Sequence, residues 1–338
     1  MSFALEKKVA ELAVKRASAL AKLVADTHID SITKTDKSPV TVADYGAQAI
    51  IINAIKHVFP NDNVVGEEDA ANLRADPTLK QHVWSLVKDA TDKDSASASA
   101  IGSIQTAEEM CDSIDAGNYE GGRNGRMWAL DPIDGTKGFL RRGQYAVCLA
   151  LVVDSVVQVG VIGCPNLPLD YKSSGTSENG VLFSAVKGLG AFQQSLFGSE
   201  PEKPIKFHEI SSTSEATFCE SVEAGHSSHD TQAKIAQTLG ITKPPVRMDS
   251  QAKYVSIARG DGDIYLRLPV HADYQEKIWD HAAGNVIVTE AGGVVTDKDG
   301  HPLDFGVGRT LKDNKGVIAA SKAIHAKVLE AVKNVTGA

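Results

Sequence analysis

Cysteine is scarce in this chain: four residues in 338, Cys111, Cys148, Cys164 and Cys219, far apart and without a CxxC pair. That spacing argues against a thiol-held zinc site and against a disulfide scaffold. Cys148 and Cys164 lie in apolar, strand-like runs, so buried free thiols in a reducing, cytoplasmic setting are expected. No apolar run approaches the roughly 20 residues that span a bilayer. The opening stretch MSFALEKKVAELAVKRASALAKLV is charged throughout and lacks the apolar core of a secretory signal, so a soluble chain is expected. An excess of positive charge is missing too. Lys and Arg number 35 against 43 Asp and Glu, a formal net charge of −8. Nucleic-acid polymers need clustered cations, so neither a nucleic acid nor a membrane is expected as partner, and a monomer is the expectation. A small anionic substrate remains compatible where metal ions reverse the local field.

Three familiar loops are also absent. There is no Gly-Lys dipeptide for a P-loop, GHSSH lacks the last glycine of a nucleophile elbow, and KGLGAF is not GxGxxG. These absences argue against an NTPase, a serine hydrolase and a Rossmann dehydrogenase. No internal repeat is visible.

What is present reads as an α/β chain. Leu5, Val9, Leu12, Leu20 and Leu23 recur at helical spacing over residues 4–25. A second helix starts near Thr41, where Asp44 completes a capping-box pattern, and stops before Pro60. Val64 and Val65 mark a short strand. Residues 69–106 are small and polar, with SASASA among them, and read as a mobile surface excursion with some helix around PTLKQHVWSLV. Apolar runs over 127–131, 145–165 and 181–194 read as antiparallel strands, the middle run turning at Asp154-Ser155. Helices and strands then alternate to the end, with KIWDHAAGNVIVTEAG as one helix. The N-terminal part is therefore expected to be α+β with an antiparallel sheet, and the C-terminal part a smaller mixed α/β sheet. The boundary is placed at 207, giving parts 1–207 and 208–338.

The acids carry the functional signal. WALDPIDGTKGFL runs an apolar strand into Asp131 and Asp134, then turns on Gly135 into Thr136 at a helix start. On a regular strand Asp131 and Ile133 share a face. Two carboxylates and a backbone carbonyl could then meet at one point, beside helix N–H groups that suit a phosphate. The plain alternative is an Asp-Gly turn with Asp134 as a cap. GEED places Glu67 and Glu68 at a strand end, and WDHAAG places Asp280 at a helix start. Taken singly, these and Asp44 could be a solvated loop, an N-cap and a capping acid. Taken together, all-oxygen ligands select hard cations such as Mg²⁺.

The ordered set GEE, DPIDGT and WDHAAG resembles the lithium-sensitive, magnesium-dependent phosphomonoesterase family that includes inositol monophosphatase and fructose-1,6-bisphosphatase. The resemblance covers nearly the whole chain and implies a layered αβαβα, sugar-phosphatase-like fold. SPVTVADYGAQAIIINAIK, GNYEGGR, VEAGHSSHD, DSQAKY and YLRLP narrow it to the bisphosphate-nucleotidase branch found in fungi. It implies two or three Mg²⁺ ions on the side chains of Glu67, Asp131, Asp134 and Asp280 and the carbonyl of Ile133. Asp44 and Thr136 would position and deprotonate the attacking water for in-line displacement, without a phosphoenzyme. His226, Ser250, Lys253 and Arg267, with Thr136 and Asp280, would line the nucleotide site, and Lys253 and Arg267 would suit a second, non-reacting phosphate.

Without the family, Lys253 reads as a solvated helix residue, Arg267 as an outward strand residue, and His226 with His229 as a polar loop. The implied reaction removes the 3'-phosphate of adenosine 3',5'-bisphosphate, with 3'-phosphoadenylyl sulfate as a second substrate. The implied context is sulfur assimilation and salt tolerance, with inhibition by Li⁺ and Na⁺. The alternatives are an inositol (poly)phosphate 1-phosphatase and a non-catalytic nucleotide sensor.

Overall fold

Ala-rich helical periodicity at the N-terminus forms the helix Ala4–Asp26, and its apolar stripe of Val9, Ala13, Val14, Ala17, Leu20 and Val24 is buried. This computed structural model describes residues 2–27, 31–33, 39–170, 178–223, 228–268, 271 and 273–337; for 31–33 and 39–41 only the backbone is described. The second helix, Val42–Val58, is buried along almost its whole length and packs beside the first. Thr41 immediately precedes it, but its side chain lies outside the described set.

Behind these helices stands a seven-stranded sheet. Its spatial order is Asn63–Gly66, Arg126–Asp134, Ala146–Val153, Val156–Pro168, Asn179–Val186, Gly190–Ser195, Lys203–Ile205. The hairpins follow from their turns: Asp154 and Ser155 both adopt positive φ, which suits a two-residue connection. The sheet is not wholly antiparallel, as the alternation pattern suggested. Asn63–Gly66 pairs parallel to Arg126–Asp134, with Gly66 opposite Leu130. The two strands are joined by a helical crossover, which permits parallel pairing.

That crossover contradicts the expectation of a mobile excursion over 69–106. It holds helices Ala71–Ala75, Pro77–Lys93 and Ala107–Asp115 and shorter turns between them. Asp76 caps the longest helix, its Oδ1 accepting the Thr78 and Leu79 N–H groups at 2.9 and 3.0 Å, with Pro77 at the first position. Val83, Val87 and Ala90 bury one narrow face against the first core.

Alternation places the two faces of the large sheet in different cores. Trp128, Leu130, Val147 and Leu149 join the N-terminal helices. Met127, Ala129, Cys148 and Ala150 instead join the helices Ala252–Arg259 and Ala282–Glu290. The far side of those helices packs on Tyr265, Val295, Val317 and Ala319 of a five-stranded sheet. Its order is Val246–Arg247, Phe218–Glu220, Ile264–Arg267, Val317–Ser321, Gly293–Thr296, with parallel and antiparallel pairs. The other face of this sheet packs on helices His229–Thr238 and His325–Thr336. The layers are thus α, β, α, β, α. The chain passes from the large sheet to the small one between Ile205 and Phe218. All four cysteines are buried free thiols; burial pushes Cys164 up to about 12 and Cys148 well above its ordinary value. Among the described residues no helix is long and apolar enough to cross a membrane.

One glycine sets the spacing of the central layers. A Cβ on Gly160 would lie 2.4 Å from Val286 Cγ1 and 2.8 Å from the Ala283 carbonyl oxygen. Gly160→Ala is therefore expected to cost about 1–3 kcal/mol through overpacking. Urea unfolding measures it, and an unchanged midpoint would contradict the layer contact.

Candidate active site

The parallel pairing of Asn63–Gly66 with Arg126–Asp134 builds the first half of the site. Gly66 and Leu130 are opposite partners, so the next residues, Glu67 and Asp131, leave the two strand ends side by side. This is the carboxyl edge, where ligands bind in parallel sheets. The strand carrying Asp131 then bulges. Asp131 pairs with Cys148 but Asp134 with Ala146, three residues against two. Pro132 lies inside this bulge, where its missing N–H costs no ladder bond. The bulge changes the expected facing: Asp131 leads into the cavity while the Ile133 side chain turns into the helix-side core. The Ile133 carbonyl accepts the Thr136 hydroxyl at 3.3 Å. Gly135 caps the short helix Thr136–Leu140 with φ of 84°, a conformation that favours glycine.

A cavity of about 220 Å³ opens here. Its lining includes Glu67, Asp131, Ile133, Asp134 and Thr136 from the first part of the chain. Ser250, Gln251, Lys253, Arg267 and Asp280 line it from the second. Asp44, in the first turn of Val42–Val58, is buried and close enough for its charge to act on Asp131. His226 lies outside the described residues. His229 begins its helix, and its Nε2 lies 3.2 Å from the Ser221 carbonyl oxygen.

The electrostatics are those of crowded acids. Burial pushes the Asp131 carboxyl well above the usual range, and Glu67, Asp134, Asp280 and Asp44 push it further. Burial and then Asp134 do the same to Asp280, with Arg267 opposing. Asp134 is raised by burial and drawn back by Lys253 and by the Gln251 N–H, which donates to its Oδ2 at 2.5 Å. Asp134 is therefore not the helix cap; Gly135 is. Asp280 also falls outside the helix proper, in the turn Ile278–Asp280 before Ala282–Glu290.

Lys253 is buried rather than solvated, and Arg267 is partly buried. Lys253 is 2% exposed, and its Nζ donates to the Ser250 carbonyl at 2.8 Å. Burial pulls it down to about 8, with Asp134 opposing. The Ser250 hydroxyl accepts the Ala252 N–H at 3.1 Å. Arg267 donates from Nε to Glu276 at 2.8 Å and from Nη2 to the Tyr274 hydroxyl at 3.2 Å, and Nη2 lies 4.0 Å from Asp280 Oδ2.

Several residues of this surround carried no sequence signal. Arg309 donates to the carbonyls of Gly66 at 2.5 Å and Tyr119 at 2.9 Å, and its guanidinium stacks 4.9 Å from the Trp279 ring. It thereby ties the Glu67 turn to the segment bearing Asp280. Gln48 holds the same turn through both Glu68 backbone groups, at 2.6 and 3.0 Å. At the mouth, Glu223 accepts from Lys137 at 3.3 Å and from Arg141, which also reaches Asp249 at 2.6 Å.

Two clusters could be read as cation sites. Glu276, Asp280 and His281 bring one ligand atom each within 4.8 Å. There the positive charge is already supplied. Arg267 holds Glu276, His281 Nε2 is 3.0 Å from Glu276, and His281 Nδ1 is 2.8 Å from the Tyr254 hydroxyl. Burial pushes Glu276 up, but Arg267 and His281 outweigh it and hold the carboxyl at about 2. The cluster of Glu67, Asp131, Asp134 and Asp280 is different. Asp131 Oδ1 is buried with no hydrogen-bond partner among the described residues. An all-oxygen donor set with an orphaned buried carboxylate oxygen fits a hard divalent cation.

Comparison with known proteins decides the family. Residues 2–336 match the inositol monophosphatase family. The chain belongs to that family. Among curated members it is 54% identical to the 3'(2'),5'-bisphosphate nucleotidase of Schizosaccharomyces pombe, over 99% of this chain and 97% of that protein. It is 55% identical to the enzyme of the same name from Emericella nidulans, over 99% of both. With the rice protein of that name identity is 44%, over 97% of this chain and 92% of the other. Solved family folds are more distant. The Thermotoga maritima IMPase superposes with a TM-score of 0.64 at 22% identity, covering 97% of this chain and 96% of its own. The inositol monophosphatase from Anabaena gives 0.59 at 20%, covering 97% and 95%. These likenesses show the shared layered fold.

The raised carboxyls carry a stability sign. In metal-free protein the folded state holds protons on Asp131 and Asp280 more tightly than the unfolded chain does. Their cost is absent below the unfolded value of about 4 and grows as pH rises toward the folded value. Asp131→Asn is therefore expected to raise the metal-free melting temperature at pH 7 by about 2 °C or more. The same change should remove most of the stabilisation that Mg²⁺ gives the unsubstituted protein. Thermal melts in chelator and in Mg²⁺ read both effects; a metal-free decrease would contradict the repulsion.

Proposed function

We propose that this chain is a 3'(2'),5'-bisphosphate nucleotidase that removes the 3'-phosphate of adenosine 3',5'-bisphosphate, giving AMP and phosphate. 3'-phosphoadenylyl sulfate would be its second substrate. The observation that carries the reading is one cavity in which Glu67, Asp131, Asp134 and Asp280 face the buried Lys253 and the partly buried Arg267, in a chain 54–55% identical to curated nucleotidases over nearly its whole length.

In this reading residues 1–207 supply most of the cation site and residues 208–338 the nucleotide site. Glu67, Asp131, Asp134 and Asp280, with the Ile133 carbonyl, would hold two or three Mg²⁺. When bound, Mg²⁺ would neutralise phosphate oxygens and make a neighbouring water more acidic. The chain's own groups would do the rest. Thr136, whose hydroxyl now rests on the Ile133 carbonyl, would turn to orient the attacking water, and Asp44 would take the proton. Lys253, poised near 8, would be fully charged beside a second phosphate. Arg267 would present its Nη groups to the same phosphate while Glu276 keeps its Nε. Ser250 and His226 would complete the nucleotide contacts. Such positioning and charge neutralisation are the main means of accelerating phosphoryl transfer. Li⁺ and Na⁺, hard cations of single charge, would inhibit by displacing Mg²⁺. The buried free thiols suit a cytoplasmic setting, and a monomer acting in sulfur assimilation and salt tolerance completes the reading.

The test compares phosphate release from adenosine 3',5'-bisphosphate, 3'-phosphoadenylyl sulfate and inositol 1,4-bisphosphate in Mg²⁺, with and without Li⁺. Preference for the nucleotides and loss of activity in Li⁺ are expected. Turnover of the inositol phosphate alone would overturn the substrate assignment, and no turnover would leave a nucleotide sensor. Arg267→Ala should raise the nucleotide KM about tenfold, the worth of one charged hydrogen bond, with a smaller change in kcat. Unchanged kinetics would remove Arg267 from the nucleotide site.

A further inference from the structure

Asp134 and Asp280 come from opposite parts of the chain and repel each other. The strand bearing Asp134 packs on the turn bearing Asp280, and Gln251 hydrogen-bonds to both segments. Gln251 is 2% exposed and sits between Ser250, which adopts φ of 68°, and the helix Ala252–Arg259. Its backbone N–H donates to Asp134 Oδ2 at 2.5 Å. Its side-chain Nε2 donates to the Trp279 carbonyl at 2.8 Å, in the peptide that leads into Asp280. Its Oε1 accepts the Gly284 N–H at 3.0 Å, in the first turn of the helix that follows Asp280. Gly284 has no room for a side chain, since a Cβ there would lie 2.4 Å from the Tyr254 ring, so this clamp closes on rigid backbone.

We infer that Gln251 is a positioning residue that fixes Asp280 relative to Asp134 and so sets the affinity of the pair for a divalent cation. The amide is suited to this work because it offers a donor and an acceptor on one planar group. Trp279 presents a carbonyl and Gly284 an N–H, so each end of the amide meets its complement. A carboxylate at 251 would keep the acceptor and lose the donor, and would add a charge beside the acids. A thioether of similar length would lose both bonds while leaving the backbone N–H on Asp134. Residues that orient metal ligands in this way are commonly worth 10–100-fold in metal affinity.

The inference rests on the reading of Asp134 and Asp280 as cation ligands, and the experiment separates the two. Mg²⁺ binding is followed by calorimetry in the unsubstituted chain, Gln251→Met, Gln251→Glu and Asp280→Asn, alongside the Mg²⁺ concentration giving half-maximal activity. The expected result is about tenfold weaker Mg²⁺ binding in Gln251→Met. Raising Mg²⁺ to saturation should restore most of the activity that Gln251→Met loses at low Mg²⁺, a split that general loosening of the fold would not produce. Gln251→Glu keeps one of the two bonds and serves where Gln251→Met does not fold; it too should weaken Mg²⁺ binding. Unaltered Mg²⁺ affinity in a folded Gln251 variant, with Asp280→Asn impaired, overturns the positioning role. Unaltered affinity in Asp280→Asn overturns the ligand reading itself.

Discussion

Like-charge repulsion in a desolvated cleft is the constraint around which this molecule is arranged. Glu67, Asp131, Asp134 and Asp280 line one cavity, with Asp44 buried behind Asp131. Glu67, Asp134, Asp280 and Asp44 raise the energy of the charged form of Asp131, Asp134 does so for Asp280, and burial of Asp131 and Asp280 is the larger cause. Such a cluster persists only because a large, well-packed scaffold holds it. Three cores supply the scaffold, and the acids sit where the large sheet, the middle helices and the small sheet converge. The fold holds the acids together at a cost that a bound cation would offset.

The braces around the cluster are mostly neutral or already compensated. Arg309 spends its donors on the carbonyls of Gly66 and Tyr119 and its face on Trp279. Gln251 and Gln48 use amides on backbone groups. Arg267 is balanced by Glu276, which in turn meets His281. The braces therefore fix geometry while offsetting the negative field only in part: Arg267 draws Asp280 back down, and Lys253, whose Nζ rests on two backbone carbonyls, does the same to Asp134.

Legibility in the sequence followed the range of the interactions. Asp131, Asp134 and Thr136 are neighbours in the chain, so one turn of DPIDGT announces them together. Most helices and strands were readable because alternation and helical spacing each survive in short windows, whereas the five-layer order came from the family resemblance. Glu67 needed the parallel pairing of Gly66 with Leu130, and a parallel partner leaves no local mark in a strand four residues long. The Ile133 side chain turned away because of a bulge that no residue pattern demanded. The helix Pro77–Lys93 was underestimated because small polar residues surround it, although Val83, Val87 and Ala90 do recur at helical spacing. Gln251, Arg309 and Glu276 were invisible for a simpler reason. A lone polar residue looks like surface until its partners are known, 5 and 9 positions away for Glu276 and 28 to 243 away for Gln251 and Arg309.

The carboxylate cluster around the orphaned Asp131 Oδ1 is, on this account, a divalent-cation site. The most direct measurement is an anomalous-difference map from crystals of the protein soaked in Mn²⁺. The account predicts density within coordinating distance of Asp131 Oδ1, shared with Asp134 or Asp280. Density only between Glu276 and His281, or none in the cavity at all, would contradict it.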